Sequence, residues 1–329
     1  MSTLVSDWSK TDVAAARAAR EFASDVHAGL TRSGEKQLHS KYLYDELGSA
    51  LFEAITLLPE YGLTRADARL LRKHAHDIAA ELEFPLCVAE LGSGGGQKTR
   101  SLLHALRKDQ PAIRYYPIDV SSVALEWCEK ELTPVAQVFP LVASYLPGLT
   151  TAIARRRSAE RMLVLFLGST IGNFEPEPGR QFLRELRDLL SPGDALLLGA
   201  DLVKPVDQLV AAYDDPTGVT AAFNLNLLAR INREMGANFI LRNFEHQATY
   251  NETHERIETR LRSRVDQSVD IPGAGCQIQL RSGETIWTES SHKFRLNGLD
   301  EMATAAGFRT KAQWVDEEWP FAESLWIAI

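Results

Sequence analysis

Apolar and polar positions divide the chain into segments of different period. Near the N-terminus Phe22, Val26 and Leu30 recur every four residues, which predicts a helix. Between residues 86 and 203, short apolar runs such as LCVAEL and MLVLFLG alternate with helical patterns. Because strands that alternate with helices over short connections form βαβ units, this alternation predicts an α/β domain with a parallel sheet.

From Pro205 onward the pattern changes to a helical stretch over 219–236, followed by strand-like segments. In HERIETRLRSR (254–264), alternate residues are charged, which is the period of a half-exposed strand. We interpret this part as an antiparallel α+β unit. The C-terminal segment has a helix that ends at Gly307 and then two strands, which we expect to join the first sheet as an antiparallel hairpin.

Helix boundaries and domain limits follow from the same pattern. Pro59 is expected to stop a helix that begins near Gly48, because proline lacks an N–H group and fixes φ. Thr64, with Asp67 three residues later, resembles an N-cap with an acid in the first helical turn. The sheet domain is predicted to comprise residues 62–204 and 294–329, and the second domain residues 1–61 and 205–293.

Composition narrows the class of protein. The 329 residues are 45% hydrophobic and 24% charged, which is ordinary for a globular protein of about two domains. The net charge of −8 repels nucleic acid, and no apolar run reaches the roughly 18 residues of a membrane span. The first residues lack a signal-peptide pattern, so we expect a cytoplasmic protein, a monomer, with a small-molecule partner. The three cysteines, Cys87, Cys128 and Cys276, form no CxxC pair, so the sequence predicts neither disulfides nor a metal site.

A glycine-rich loop, AELGSGGGQKT (89–99), lies between a predicted strand and a predicted helix. Glycine lets a backbone turn tightly and approach a ligand closely, and the following helix start offers free N–H groups to an anion. A dinucleotide-binding loop requires G-x-G-x-x-G, whereas this loop reads G-x-G-x-G. A nucleotide triphosphate loop requires a glycine before the lysine. Here a glutamine precedes Lys98-Thr99, so the match to such a loop is incomplete. An ATP-binding protein therefore stays a second hypothesis.

The remaining pattern, acid-x-G-x-G-x-G from Glu90, resembles the first motif of class I S-adenosylmethionine methyltransferases. The next predicted strand ends at Asp119, whose carboxylate can accept hydrogen bonds from both ribose hydroxyls of a cofactor. An N-cap on the helix that begins near Ser121 is the alternative role for Asp119. The terminal hairpin that follows Gly307-Phe308 also matches the seventh strand of that superfamily.

Six ordered blocks carry a closer resemblance, which runs from about residue 40 to the C-terminus. They are YLYDELGSALFEAITLLPEY, ELGSGGGQKTR, FLGSTIGNF, PGDALLLGADLVK, YDDPTGVTAAFNLNLLARINRE and GETIWTESSHKF. In these blocks the chain resembles the histidine-specific methyltransferase family, which makes the betaine hercynine from L-histidine in ergothioneine biosynthesis. The resemblance implies a Rossmann-like class I methyltransferase sheet with a second, α+β substrate-binding domain.

The resemblance also implies a site for S-adenosylmethionine. Tyr61 would close over the cofactor from the N-terminal segment, and an aromatic residue would cover the adenine. Many family members have an Asp-Phe pair beside the adenine, where this chain has Ser144-Tyr145. The implied cofactor-binding residues are Tyr61, Gly92, Lys98, Asp119, Ser144 and Tyr145.

The implied amino-acid site uses residues from several blocks. Asn173 and Tyr213 would hold the α-amino and α-carboxylate groups, beside the backbone carbonyl of Gly168. An uncharged amide suits this role because it can hold an amine through every methylation state. Glu289 would accept the imidazole N–H, with Ser291 and Tyr44 near the substrate side chain. Since no histidine stands in a base position, we expect the amine to lose its protons to water, assisted by Tyr44 and Asn173, which are the predicted catalytic residues.

One departure concerns the substrate pocket. Where many family members have methionine, within IEMRL or a similar sequence, this chain has IETRL and hence Thr259. A smaller, hydroxyl-bearing residue enlarges the pocket and changes its polarity. Methylation of another amino acid is therefore an alternative, although Glu289 favours histidine over a neutral aromatic side chain. A catalytically silent binding protein is a third hypothesis, which the presence of Asn173, Tyr213 and Glu289 disfavours.

Overall fold

The computed structural model describes residues 4–329, with side chains from Ala16 onward. Its helices are α1 (Leu4–Thr31), α2 (Glu46–Thr56), α3 (Leu63–Ala80), α4 (Arg100–Leu106), α5 (Ser122–Leu132), α6 (Tyr145–Ala154), α7 (Pro176–Leu189), α8 (Val206–Tyr213), α9 (Val219–Met235) and α10 (Leu296–Ala305). Its strands are β1 (Lys36–Gln37), β2 (Leu86–Leu91), β3 (Arg114–Asp119), β4 (Gln137–Val138), β5 (Leu141–Val142), β6 (Arg161–Phe166), β7 (Ala195–Asp201), β8 (Phe244–Asn251), β9 (Arg256–Ser263), β10 (Gln267–Ile271), β11 (Cys276–Leu280), β12 (Thr285–His292), β13 (Phe308–Val315) and β14 (Phe321–Ala328). Across these residues no helix is both long and apolar enough to cross a membrane.

One compact unit, the sheet unit, consists of Gly62–Lys204 and Ser291–Ile329. Its strand order is β13-β14-β7-β6-β2-β3-β4, with β5 beside β3. Strands β2, β3, β6 and β7 pair in parallel, and the β13–β14 hairpin joins β7 antiparallel. The predicted α/β sheet and its C-terminal antiparallel hairpin are therefore confirmed.

Helices cover both faces of this sheet, and the sequence of each strand accounts for it. Every residue of β2 is buried, as expected of a strand without an exposed face. Successive side chains in a strand point to opposite faces, so Tyr115 joins one hydrophobic core and Tyr116 the other. Leu197 and Leu198 of β7 divide between the two cores in the same way.

The start of α3 corrects one prediction. The helix begins at Leu63 with Gly62 at the N-cap position, and no side chain caps it, so the prediction of Thr64 as N-cap is wrong. Asp67 does not serve the first turn either. It is fully buried, and its carboxylate accepts a hydrogen bond from Lys98 at 2.6 Å.

The other compact unit, the insertion unit, consists of the described chain up to Tyr61 together with Pro205–Ser290. Its main sheet has the order β1-β12-β9-β8, and β10 and β11 form a separate antiparallel hairpin. Strand β9 is less exposed than its alternating pattern predicts. Glu258 is buried there, because Arg256, Arg260 and Asn251 all donate hydrogen bonds to its carboxylate.

Candidate functional site

The glycine loop leaves β2 at the carboxyl edge of the sheet, where ligands of open α/β folds bind. Gly92, Gly94 and Gly96 have φ values of 72°, 52° and 71°, a region that residues with a Cβ seldom adopt. A Cβ at Gly94 would meet no atom within 4 Å, whereas one at Gly96 would lie 2.6 Å from the sulfur of Cys128. Gly96 is therefore required for packing, while the space beside Gly94 is open.

Asp119 ends β3 and holds this loop from the neighbouring strand. One carboxylate oxygen accepts the Gly94 N–H at 3.1 Å and the other accepts the Ser121 N–H at 2.9 Å. Ser121 itself is the N-cap of α5, so Asp119 does not have that alternative role. Each oxygen keeps a lone pair that a hydroxyl group can use. The open loop and this carboxylate fit the ribose of S-adenosylmethionine.

Tyr145 lies beside Gly92 at the start of α6. Its ring and hydroxyl lie 3.5 and 3.6 Å from the position that a Gly92 Cβ would occupy. The ring also packs edge-on against Phe166 and Phe182, and burial raises the pKa of its hydroxyl to about 12. Ser144, the residue before it, is exposed and makes no capping hydrogen bond. An aromatic surface is thus present at the loop, as an adenosyl group requires.

Lys98 and Thr99 turn towards the protein interior rather than towards the open side of the loop. The Lys98 ammonium contacts Asp67, and the Thr99 hydroxyl donates to Glu90 at 2.7 Å. Thr99 is fully buried, so it is not placed to hold the magnesium ion of a nucleotide. Among the side chains that the structure describes, from Ala16 onward, no cluster of three His, Cys, Asp or Glu residues could bind a metal. This arrangement does not favour the ATP-binding hypothesis.

The loop after β6, residues 167–173, carries Gly168 and Asn173. Gly168 and Ser169 both have positive φ, at 70° and 58°, and the second value is strained for a residue with a Cβ. One hydrogen bond holds each of these two residues. Asp67 accepts the Gly168 N–H at 3.0 Å, and the Ser169 hydroxyl accepts the Asp201 N–H at 2.9 Å. Asn173 follows in a short 3₁₀ helix and is partly exposed.

Ser291 lies near the end of β12 in the same unit. The ammonium of Lys293 donates to its hydroxyl at 2.8 Å and lies 3.1 Å from the Asp201 carboxylate. Ser291, predicted to bind the substrate, therefore contacts a buried ion pair of Lys293 with Asp201, the last residue of β7. Sequence reasoning missed Lys293 and Asp201, because a charge pair between distant segments leaves no periodic signal.

In the insertion unit, three predicted residues meet in one aromatic cluster. Tyr44 packs at 5.5 Å from Phe52 and 5.4 Å from Phe223, and Tyr61 packs at 6.0 Å from Tyr213. Phe52 and Tyr61 are 6.2 Å apart and join the two pairs. Tyr61, predicted to cover the cofactor, thus lies beside the predicted substrate residue Tyr213. Phe52 and Phe223 were missed, although Phe52 falls inside the YLYDELGSALFEAI block.

A histidine fixes the backbone of Tyr213. The amide nitrogen of Asn224 donates to the Arg260 carbonyl at 3.2 Å and to His246 Nδ1 at 2.9 Å. Nδ1 must therefore accept, which leaves Nε2–H to donate to the Tyr213 carbonyl at 2.7 Å. Burial lowers the pKa of His246, so the neutral form is favoured. The sequence patterns did not predict a role for His246 or Asn224.

The remaining predicted residues lie on β9 and β12. The hydroxyl of Thr259 is buried and lies 3.0 Å from the hydroxyl of Thr288, which in turn donates to the Thr259 carbonyl. Glu289 follows Thr288 and is partly exposed. The threonine that replaces the usual methionine thus has a polar partner within its own sheet.

Comparison with known proteins identifies relatives along almost the whole chain. The model of the histidine-specific, S-adenosylmethionine-dependent methyltransferase family matches residues 22–328. The histidine N-alpha-methyltransferases of Mycolicibacterium smegmatis and Mycobacterium tuberculosis are each 42% identical, over 322 and 310 residues. These alignments cover 95% and 92% of this chain, and 97% and 93% of the two relatives. Ergothioneine biosynthesis protein 1 of Neurospora crassa is 30% identical over 86% of this chain, which spans 32% of that protein.

The family match confirms the resemblance drawn from the six sequence blocks. It also confirms the enzyme class, methyltransferase, and the cofactor, S-adenosylmethionine. By its sequence over residues 22–328 and its similarity to both mycobacterial enzymes, the chain belongs to the family of histidine-specific, S-adenosylmethionine-dependent methyltransferases.

Proposed function

We propose that the protein transfers methyl groups from S-adenosylmethionine to the α-nitrogen of L-histidine and forms the trimethylated betaine hercynine. The observation that carries this proposal is the 42% identity, over 95% of the chain, to a protein named histidine N-alpha-methyltransferase. The relative named for ergothioneine biosynthesis supports a place for the reaction in that pathway.

On this proposal, the sheet unit holds the cofactor through residues that the geometry makes suitable. The Gly92–Gly96 loop gives close approach, the Asp119 carboxylate accepts the ribose hydroxyls, and Tyr145 covers the adenine. Lys98 contributes positive charge beside the loop, and the exposed Ser144, which precedes Tyr145, lies near the adenine. When bound, S-adenosylmethionine supplies an electrophilic methyl group on a sulfonium centre.

The amino acid is held by groups that suit an amine whose charge changes during the reaction. Asn173 binds the α-amino group without charge of its own, and the Gly168 carbonyl accepts from the same nitrogen. Tyr213 binds the α-carboxylate and Tyr44 lies near the substrate side chain, while Tyr61 closes over the cofactor. Because only a neutral amine has a lone pair to donate, a proton leaves for water before the first methylation. Orientation by Asn173 and Tyr44 then accounts for much of the rate enhancement.

The side chain of the substrate is recognised by Glu289 and Ser291. A carboxylate that accepts the imidazole N–H selects histidine over amino acids that have no donor at this position. Thr259 borders this part of the site, and its hydroxyl already contacts Thr288. That contact limits the change of polarity caused by the methionine-to-threonine difference.

A screen of the twenty amino acids as methyl acceptors tests the proposal. Purified protein with S-adenosylmethionine should convert L-histidine to a product with three added methyl groups, detected by mass spectrometry. Turnover of a different amino acid, with none of histidine, would refute the assigned substrate and leave the reaction class standing.

A pair of variants tests the assignment of residues. Asp119→Ala should weaken S-adenosylhomocysteine binding, and Glu289→Ala should weaken histidine binding, each by roughly tenfold or more because a charge-assisted hydrogen bond is lost. Glu252→Ala, a change at an exposed acid, serves as the matched control for both. Equal losses of both ligands in both variants, measured by titration calorimetry, would contradict the partition.

A further inference from the structure

Four ionisable side chains of the sheet unit meet in its interior behind the glycine loop, and we call them the Asp67 network. Asp67, Glu90 and Glu323 are almost completely buried, and the Lys98 side chain keeps an exposed fraction of 23%. They come from α3, the end of β2, β14 and the glycine loop. Burial of three carboxyl groups with one ammonium in a protein core costs free energy, so we expect the arrangement to have a function.

Asp67 is the centre of this network. One of its carboxylate oxygens accepts from the Lys98 ammonium at 2.6 Å and from the Gly168 N–H at 3.0 Å. Two glycines make room for the arrangement. A Cβ at Gly168 would lie 3.1 Å from the Lys98 nitrogen, and a Cβ at Gly199 would lie 3.1 Å from a Glu323 oxygen. Asp67 therefore joins the glycine loop directly to the loop after β6.

The charges of the network indicate where a proton resides. Burial, followed by the neighbouring Asp67 carboxylate, raises the pKa of Glu323 well above its usual range. Among the described residues, neither Glu323 oxygen nor the second Asp67 oxygen receives a protein donor. A protonated Glu323 can donate its O–H to the second Asp67 oxygen, which satisfies that oxygen and one of the two Glu323 oxygens. Although burial alone lowers the pKa of Lys98, the Asp67 charge raises it, so Lys98 is an ammonium.

We propose that Asp67 is a positioning residue that fixes Lys98 and the Gly168 backbone together, and that Glu323 acts as its neutral hydrogen-bond donor. This inference rests on the proposed function, in which Lys98 serves the cofactor and Gly168 the amino acid. Both binding sites then depend on one buried carboxylate that contacts neither ligand. A protonated Glu323 places no second negative charge directly beside the Asp67 carboxylate, which pairs with Lys98.

Affinities measured by titration calorimetry test the positioning role of Asp67. Asp67→Asn keeps the shape but removes the charge that holds Lys98 and the Gly168 N–H. We expect the dissociation constants of S-adenosylhomocysteine, and of histidine in its presence, to rise by roughly 10- to 100-fold, since a neutral amide oxygen accepts from Lys98 and the Gly168 N–H more weakly than a carboxylate does. Lys98→Met should weaken S-adenosylhomocysteine alone. An Asp67→Asn protein that folds and binds both ligands within about twofold of wild type would overturn the inference.

A second pair of variants tests the proton on Glu323, and it remains informative if Asp67→Asn does not fold. In Glu323→Gln, the amide N–H can donate to Asp67 as the acid O–H does, so both affinities should stay within about threefold of wild type. Glu323→Met has a similar length and no donor, and should lose affinity as Asp67→Asn does. Loss in the glutamine variant, or retention in the methionine variant, would show that Glu323 is not the donor.

The pH dependence of stability distinguishes this role from packing alone. Above a pH of about 4.5 the unfolded chain has released the Glu323 proton, while the folded chain retains it. Wild-type stability should therefore fall with rising pH relative to Glu323→Gln, and thermal unfolding at several pH values measures the difference. A difference that does not change with pH would refute the protonated pair.

The readouts also separate this inference from the proposed function. If histidine is not methylated but Asp67→Asn still weakens S-adenosylhomocysteine, the proposed substrate fails and the positioning role stands. If Lys98→Met leaves S-adenosylhomocysteine binding unchanged, the cofactor role proposed for Lys98 fails. The effect of Asp67→Asn through Gly168 then remains measurable on the amino-acid substrate identified by the methylation screen.

Discussion

Replacement of Lys204 by methionine should remove a pH-dependent part of the stability of the sheet unit. Lys204, Lys293 and Trp319 surround the carboxylate of Asp201, and we call these four residues the Asp201 cluster. Lys204 forms an ion pair with Asp201, Lys293 lies 3.1 Å from it, and the Trp319 indole donates to it at 2.9 Å. Both lysine side chains have an exposed fraction of 0%, so two buried ammonium groups compete for one carboxylate.

The magnitude follows from the pKa of Lys204, which burial lowers from 10.5 to about 8. A difference of about 2.5 pKa units corresponds to about 3 kcal/mol, by which the folded state disfavours the charged amine. Between pH 8 and 10.5 the unfolded chain binds this proton and the folded chain does not, so stability rises with pH over that interval. Wild type should gain about 2 kcal/mol relative to Lys204→Met between about pH 7.5 and 9.5.

Urea unfolding at those two pH values gives the required free energies. Lys130→Met changes net charge equally at an exposed position and corrects for the titration of the rest of the protein. The quantity to compare is the change with pH of the difference between wild type and Lys204→Met. A change smaller than about 0.5 kcal/mol, or one of opposite sign, would refute the reasoning that burial disfavours the charged form of Lys204 in the folded protein.

Two further predictions concern backbone and protonation. Gly96→Ala should destabilise the protein by about 3 kcal/mol, because its Cβ would meet Cys128 at positive φ, whereas Gly94→Ala should cost only about 1 kcal/mol and still weaken S-adenosylhomocysteine binding. Thermal unfolding and calorimetry on both variants check this contrast, and equal stabilities would contradict it. Wild type should lose stability as the pH falls below about 6.5, because the lowered pKa of His246 opposes protonation in the folded state. In His246→Gln this acid-side loss should be smaller, and an unchanged pH profile would argue against a neutral His246.

Much of the fold was predictable because its signals are local. The buried runs of β2 and β6, the glycine loop and the hairpin after Gly307 each depend on a few neighbouring residues. The apolar run AQVFPL (136–141) also indicates a strand, but the structure divides this region into two short strands, β4 and β5. Propensity and period describe such elements well, but they do not report which distant side chains will meet.

The candidate site shows the limit of local reasoning. Lys98-Thr99 suggested a nucleotide loop, yet their partners, Asp67 and Glu90, come from other elements and turn both residues inward. Thr64 and Asp67 looked like a capping pair, and the buried contact with Lys98 prevailed over that local role. The cofactor and substrate roles assigned to individual residues stay predictions that the variants above can test.

The Asp67 network and the Asp201 cluster also explain how the strained loop after β6 is maintained. Asp67 holds the Gly168 N–H, and the Asp201 N–H donates to the Ser169 hydroxyl, so each cluster fixes one of the two residues with positive φ. Strain of this kind costs of order 1–3 kcal/mol and persists only when the surroundings determine the conformation.

Ser169 offers a way to measure that strain. Ser169→Ala removes the hydroxyl and keeps the Cβ at a φ of 58°, while Ser169→Gly removes both. Both variants lose the hydrogen bond to Asp201, so their difference isolates the backbone strain. The glycine variant should be more stable than the alanine variant by about 1 kcal/mol in urea unfolding. The glycine variant should nevertheless bind the amino acid more weakly than wild type does, because the loop that carries Asn173 loses its fixed conformation. An alanine variant as stable as the glycine variant would show that the loop stores no strain.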